Sequence, residues 1–320
     1  MAAASAPSDA TAAPLRRCAS RRLGIELVSG GIAGCVAKTC TAPLARLTVL
    51  AQTSTLLAPS HLAVAHGGAA GHVSFVNSGI WRGMCQIVRH EGMHALWKGN
   101  VCTLVHRFPF TGTSFLVVEA GKRCCHDLIQ RHWWGKLLPG AVAACAATAV
   151  CYPLEVVRTR RMADSGGRCN SAWHRSLYRL CRKEGARGMY RGVGLALAVT
   201  VPSLATSFGI YAVIKDLATA RGIPDSSFQV SFWAGGISGV IGSAVTFPLD
   251  VLRRRCQVMG MDPSVPTRGW LQEARHIFLN EGAAGFWRGI APELVKVFPT
   301  VALTFMTYEQ IRFLATKHRL

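Results

Sequence analysis

The 320-residue sequence predicts an all-α membrane protein with six transmembrane helices in three pseudo-symmetric repeats around a central cavity. Three observations predict it. Half of the residues are hydrophobic and 16% are charged, with 32 Gly, a balance that leans towards membrane proteins. A three-part motif recurs three times in the same order. A polar stripe runs along otherwise apolar helices.

The repeats carry the organisation. "PLEVVR" at 153 recurs as "PLDVLR" at 248, with a weaker relative, "PLARLT", at 43. Thirteen residues before these prolines stand Gly30, Gly140 and Gly235, each followed four positions later by Gly34, Ala144 or Gly239. Small-xxx-small spacing predicts close approach of helix backbones. Downstream come "EGMHALWKG", "EGARGMYRG" and "EGAAGFWRG", whose glutamates lie 93 and 97 residues apart. Pro109, Pro202 and Pro299 repeat at the same intervals. Each unit reads as a spanning helix, a loop with a short amphipathic helix, and a second spanning helix. A tail over 1–22 precedes repeats over 23–126, 127–219 and 220–320, and an even number of spans puts both termini on one side. The tail carries Arg16, Arg17, Arg21 and Arg22 without an apolar core, so it reads as an organelle-targeting segment or a basic disordered terminus.

The apolar segments are long enough to span but are broken by Gly, Pro and single charges, as in helices that line a polar cavity. Thr148, Cys151, Glu155 and Arg158 share one helix face by their spacing. Ser243, Thr246, Asp250 and Arg253 repeat the template, and Lys38, Thr41, Ala45 and Thr48 repeat it in degenerate form. Facing lipid would be costly for such a stripe, so it faces a wet interior. Pro43, Pro153 and Pro248 bend these helices inward and bring the charged ends together as a gate.

The formal charge of +20, from 36 Lys+Arg against 16 Asp+Glu, predicts an anionic partner. The basic residues follow apolar segments singly, which argues against nucleic acid. The twelve Cys contain no CxxC pair, so neither a disulfide scaffold nor a zinc site is expected. No nucleophile elbow, Walker loop or metal-ligand spacing is present, so neither catalysis nor a cofactor is expected.

Complete at Pro153 and Pro248 and degenerate at Pro43, the motif Pro-x-[Asp/Glu]-x-x-[Lys/Arg] resembles the threefold signature of the mitochondrial carrier family (solute carrier family 25), and the resemblance runs across about residues 23–317. The resemblance implies a monomer of six tilted helices in the inner membrane, short helices on the matrix side, alternating access, and both termini cytosolic. It implies a matrix gate in which Glu155 pairs with Arg253, Asp250 faces Thr48, and Arg158 faces Ala45. Gln52 and Gln257 match the glutamine braces, and Met162 replaces the third. The cytosolic gate, aromatic-acid-x-x-base, is complete at Tyr308, Glu309 and Arg312. It lacks the aromatic at Val118, Glu119 and Lys122, and the acid at Tyr211 and Lys215. The implied pairs are Glu119–Lys215 and Glu309–Lys122. One matrix pair against two cytosolic pairs predicts that the resting protein favours matrix opening more than carriers with three matrix pairs do. Trp97, Lys98, Gly99, Tyr190, Arg191, Gly192, Trp287, Arg288 and Gly289 fall where the family binds cardiolipin at helix N-termini, and anchoring in the interface is the other reading of the tryptophans.

The implied solute site holds His106 and Arg107, Val199 and Thr200, and Lys296 and Val297, with Lys38 two turns above the gate. Lys38, Arg107 and Lys296 are cations from three helices, suited to a polyanion such as a di- or triphosphate, and Val199 and Thr200 offer an uncharged wall for a base ring. "AKTCTAPLAR", "RRRCQ" and "WKGN" resemble the nucleotide and coenzyme A branch. The 22-residue tail is too short for the calcium-binding extension of the ATP-Mg type. Exchange of a nucleotide-type solute is the expected activity. A leak pathway or non-transporting adaptor, motivated by the degenerate first repeat, and a carboxylate carrier stay open.

Overall fold

The structure, a computed structural model, describes residues 29–61, 79–124, 138–165, 172–223, 228–261 and 267–317. The side chains of 57–61, 122–124, 228, 312 and 315–317 are excepted. The tail at 1–22 and the side chains of Lys122 and Arg312 therefore lie outside what is described. Every regular element among the described residues is helical.

The first span is divided at Thr41 into α1 (29–40) and α2 (Ala42–His61). Pro43 has no N–H, so the carbonyl of Thr39 loses its helical donor. The indole N–H of Trp97 supplies one at 3.0 Å. Thr41 itself donates back to the Ala37 carbonyl at 2.7 Å. The chain continues through α3 (Ile80–Glu91), a 3₁₀ turn (Met93–Trp97) and α4 (Asn100–Cys124). The second repeat is α5 (Leu138–Ala163), α6 (Trp173–Met189) and α7 (Val193–Ala220). The third is α8 (Phe228–Val258), α9 (Trp270–Glu281), a 3₁₀ turn (Ala283–Trp287) and α10 (Ile290–Lys317).

Five helical segments are long and apolar enough to cross a membrane, and the divided first span completes six. α4 lies against α5 and α7 against α8, while α10 lies against both α8 and α2 and so closes the ring. The odd-numbered spans, α1–α2, α5 and α8, also meet one another pairwise.

The buried clusters sit where these spans meet the short helices. Leu47 and Leu50 pack with Ile87 and Leu96. Tyr152 and Val156 pack with Leu180, and Phe247 and Val251 with Ile277. Large apolar side chains on the spans point outward instead: Phe108, Leu116, Val150, Phe208 and Val245 are all exposed. An apolar exterior around a polar interior is the arrangement a bilayer requires.

The glycine spacing does not bring backbones together uniformly. A Cβ at Gly30 or Gly140 would meet nothing within 4 Å. At Gly239 it would meet a Val297 methyl at 3.0 Å, and at Gly34 the Arg107 guanidinium at 3.2 Å. The notch in α1 admits a charged side chain rather than a second helix.

Candidate functional site

At one end of the cavity three arginines tie the repeats into a ring. The Arg46 Nη2 donates to both carboxylate oxygens of Glu91, at 2.9 and 2.8 Å. Arg160 pairs with Glu184, and Arg255 reaches Glu281 at 2.7 and 2.9 Å. Each arginine then crosses to the next repeat. Nε of Arg46, Arg160 and Arg255 donates to the carbonyls of Met162, Gln257 and Gln52 at 3.3, 2.8 and 2.9 Å. Lys98 and Arg288 add second cations to Glu91 and Glu281 at 2.8 and 3.0 Å, and Arg191 stands 3.9 Å from Glu184. Sequence reasoning used these glutamates only as landmarks and gave Arg160 and Arg255 no role. The signal was available: both stand seven residues after their prolines, in repeats that share the glutamate.

The glycines of the WKG, YRG and WRG elements make the second set of junctions. Gly99, Gly192 and Gly289 have φ of +83°, +84° and +85°, the left-handed region that favours glycine. A Cβ on each would stand 3.3, 3.6 and 3.2 Å from the carbonyl of Arg158, Arg253 and Thr48, five residues after the proline of the next repeat. The preceding aromatics pack beside the prolines of their own repeats: Trp97 donates to Thr39, Tyr190 stacks on Tyr152, and Trp287 stacks on Phe247. A pocket of about 320 Å³ opens between the N-terminal ends of α3 and α10, lined by Gly79, Ile80, Arg288, Gly289 and Ile290.

Among the residues expected at the matrix gate, Glu155 and Arg253 form an ion pair. Gln257 supports it, donating to Glu155 at 3.1 Å and to the Tyr152 hydroxyl at 3.2 Å while accepting from Thr159 at 2.8 Å. Gln52 accepts from Arg254 at 2.9 Å. Thr48 does not donate to Asp250: its single hydroxyl proton goes to the Leu44 carbonyl at 3.0 Å. Asp250 lies 3.9 Å from Arg253 on its own helix. Arg158 makes no ion pair with a described residue, and Ala45, the position expected to face it, carries no acid. Met162, in the third brace position, packs against Gly99.

The solute-site residues come together in part. Thr300 approaches Thr41 at 3.4 Å, and this contact sets the Lys296 turn of α10 beside the Lys38 turn of α1. Lys38 lies in electrostatic reach of Lys296, Arg158 and Arg107, with Glu293 as the opposing charge. Lys296 donates to Glu293 at 2.6 Å. His106 stacks near Phe110, 5.4 Å away, and its Nε2 is buried without a partner. Val199 is buried, and Thr200 donates to the Ala196 carbonyl at 2.7 Å, so that wall presents no free donor.

At the opposite end Lys215 stands 5.5 Å over the Tyr211 ring of its own helix. Tyr308 and Glu309 sit on the last turns of α10. The Glu155–Arg253 end is held in this conformation by that pair together with the arginine ring and the Arg254–Gln52 bond, which a count of ion pairs leaves out.

The mitochondrial carrier protein family model matches residues 20–127, 130–222 and 224–319. Mitochondrial substrate carrier family protein P of Dictyostelium discoideum is 30% identical over 90% of this chain and 93% of its own length. Mitochondrial thiamine pyrophosphate carrier 1 of Sclerotinia sclerotiorum is 28% identical, over 91% and 92%. The human mitochondrial adenyl nucleotide antiporter SLC25A25 is 29% identical over 90% of this chain, which spans only 58% of it. The three matched segments coincide with the three repeats that the arginine ring and the glycine junctions join. The chain belongs to the mitochondrial carrier family, whose members are multi-pass transporters of the mitochondrial inner membrane built on the six-helix repeat fold.

Proposed function

We propose that this carrier exchanges a phosphorylated nucleotide-type solute, coenzyme A or an adenine nucleotide, by alternating access. The observation that carries the reading is the convergence of Lys38, Arg107, Arg158 and Lys296 from three repeats, set by the Thr300–Thr41 contact, with the acid Glu293 against Lys296. Cations in a low-polarity cavity bind a polyanion far better than a neutral solute. Two relatives bear names that specify phosphorylated solutes, an adenyl nucleotide and thiamine pyrophosphate. In this reading the Glu155–Arg253 pair is the matrix gate. Glu119, Lys122, Tyr211, Lys215, Tyr308, Glu309 and Arg312 form the cytosolic gate, and both termini face the cytosol. The pocket beside Arg288 takes a cardiolipin headgroup, for which two helix N-termini supply donors. The protein works as a monomer.

The test is uptake of labelled coenzyme A and adenine nucleotides into liposomes, preloaded or empty, with thermal stabilisation of the purified protein by the same solutes. Stabilisation by coenzyme A or an adenine nucleotide, none by malate, citrate or basic amino acids, and loss of uptake in Lys296→Ala are expected. Stabilisation by a carboxylate alone would overturn the substrate class.

A second reading, a leak pathway or adaptor, is favoured by one feature: among the described residues neither Arg158 nor Asp250 forms an ion pair across the repeats. It requires uptake that is independent of preloading, or no uptake by a folded protein.

A further inference from the structure

Of the three cations expected to hold the solute, Lys296 is the one already occupied. Its ammonium donates to Oε1 of Glu293 at 2.6 Å, one turn earlier on α10. The other oxygen of that carboxylate, Oε2, is buried with no hydrogen-bond partner. A second cation, Arg254, stands with Nη2 at 3.9 Å from it, beyond hydrogen-bond range. Arg254 holds Gln52 on α2 through its other terminal nitrogen at 2.9 Å. A single polar chain therefore runs from the cation site to the Glu155–Arg253 end, through Lys296, Glu293, Arg254 and Gln52, and links α10 to α8 and α8 to α2. The corresponding positions of the other repeats carry Thr103 and Ala196, so the chain exists once in the molecule.

We propose that Glu293 is the resident counter-anion of the cation site, which an entering phosphate replaces at Lys296, and that the release is passed through Arg254 to Gln52. The proposal rests on the reading of Lys296 as a solute-binding cation. A carboxylate left half-satisfied in a buried site is poorly held, because one oxygen has given up water without gaining a donor. A phosphoryl group brings more charge and more acceptors than the carboxylate it displaces, and it also engages Lys38 and Arg107. Once free of Lys296, Glu293 turns to the cation already within 3.9 Å. Arg254 then moves off Gln52, and the bond between α2 and α8 at the Glu155–Arg253 end is lost. A solute carboxylate exchanges like for like at Lys296 and gains little. Glu293 thus sets a charge threshold, selecting polyphosphates over monocarboxylates and dicarboxylates.

The test is titration of the purified full chain with pyrophosphate, ADP and malate, comparing the parent with Glu293→Gln and reading Kd. Glu293→Asn serves if the glutamine variant does not fold. Removing the competing charge is expected to tighten pyrophosphate binding about tenfold and to admit malate, which the parent excludes. Exchange should slow in Glu293→Gln and in Arg254→Gln, because release no longer reaches Gln52. Pyrophosphate binding that is unchanged or weaker in the variant, while the parent binds ADP, overturns the counter-anion and leaves the nucleotide reading intact. Tighter pyrophosphate binding with no response to ADP in either protein keeps the counter-anion and removes the nucleotide. Failure of both proteins to bind any phosphate overturns both.

Discussion

Arg46 holds Glu91 from one helical turn before the position that carries the equivalent arginine in the other two repeats. Arg160 and Arg255 stand seven residues after their prolines, whereas Arg46 stands three after Pro43 and Leu50 occupies the seventh place. Residues four apart share a helix face, so one turn of displacement still lets the guanidinium reach both oxygens of Glu91. The Arg46 side chain is fully buried, and removing one partner of a buried pair costs about 3–5 kcal/mol. Arg46→Leu should lower thermal stability in detergent by that order, and adding Leu50→Arg should recover part of it. No loss in the single variant would show that the ring does not hold the Glu155–Arg253 end together.

Glu281 lies in α9, outside the spans, and gives the ring a pH dependence. Burial opposes its charge, but the hydrogen bond and charge of Arg255, with the charge of Arg288, hold its carboxyl below the ordinary value of 4.5. An acid depressed in the folded state adds stability that is present above its unfolded pKa. That stability is lost as pH falls through the folded value. Thermal unfolding between about pH 7 and pH 4 should therefore show a loss that begins near the ordinary carboxyl range and steepens below it. Glu281→Gln should be less stable at neutral pH and flatter on the acid side. Parallel curves for parent and variant would remove Glu281 from the linkage.

Gly289 and Gly92 separate two costs of a side chain. Both have left-handed φ, +85° and +86°, but only Gly289 faces neighbours, with Ala51 Cβ at 3.1 Å and the Thr48 carbonyl at 3.2 Å from an added Cβ. Alanine at Gly92, held at φ 86° and ψ 167° in a region essentially confined to glycine, costs backbone strain of about 1–3 kcal/mol and nothing else. Alanine at Gly289 carries the strain of its own positive φ and must also push α10 away from α2. The Gly289→Ala variant should be the less stable of the two in thermal unfolding. Equal losses would mean that the junction is loose.

The gate can be completed by substitution. Ala45→Asp with Thr48→Lys supplies an acid for Arg158 and a base for Asp250. At about 0.5–1 kcal/mol per partly wet pair, the two should shift the conformational equilibrium roughly 5- to 30-fold towards closure at that end. Cysteine accessibility from each side, on a background without native cysteines, reads the shift. Unchanged accessibility would place these residues outside the gate.

What the sequence revealed follows from what repetition amplifies. The six spans, the short helices and the Glu155–Arg253 pair occupy positions that recur at matched offsets, so three weak signals reinforced one another. The arginine ring was missed because each link to the next repeat ends on a backbone carbonyl, at Met162, Gln257 and Gln52, which leaves no mark in a sequence. Arg46 was harder still, since its displaced position breaks the register. Glu293 was invisible for the opposite reason: it occurs in one repeat, and comparison among repeats discards single-copy residues. The glycine spacing misled at Gly34, where the partner is an arginine side chain.

The Gly289 junction has a consequence for how the molecule comes apart. It docks the third repeat onto the first as Gly99 docks the first onto the second. A linear array of repeats can fray from either end, and such arrays carry terminal caps for that reason. Here no repeat is terminal in space. Detaching any one of them breaks two junctions at once, and the remaining pair keeps a single junction. Unfolding should therefore be concerted rather than sequential, and a chain of two repeats should not persist as a stable fragment.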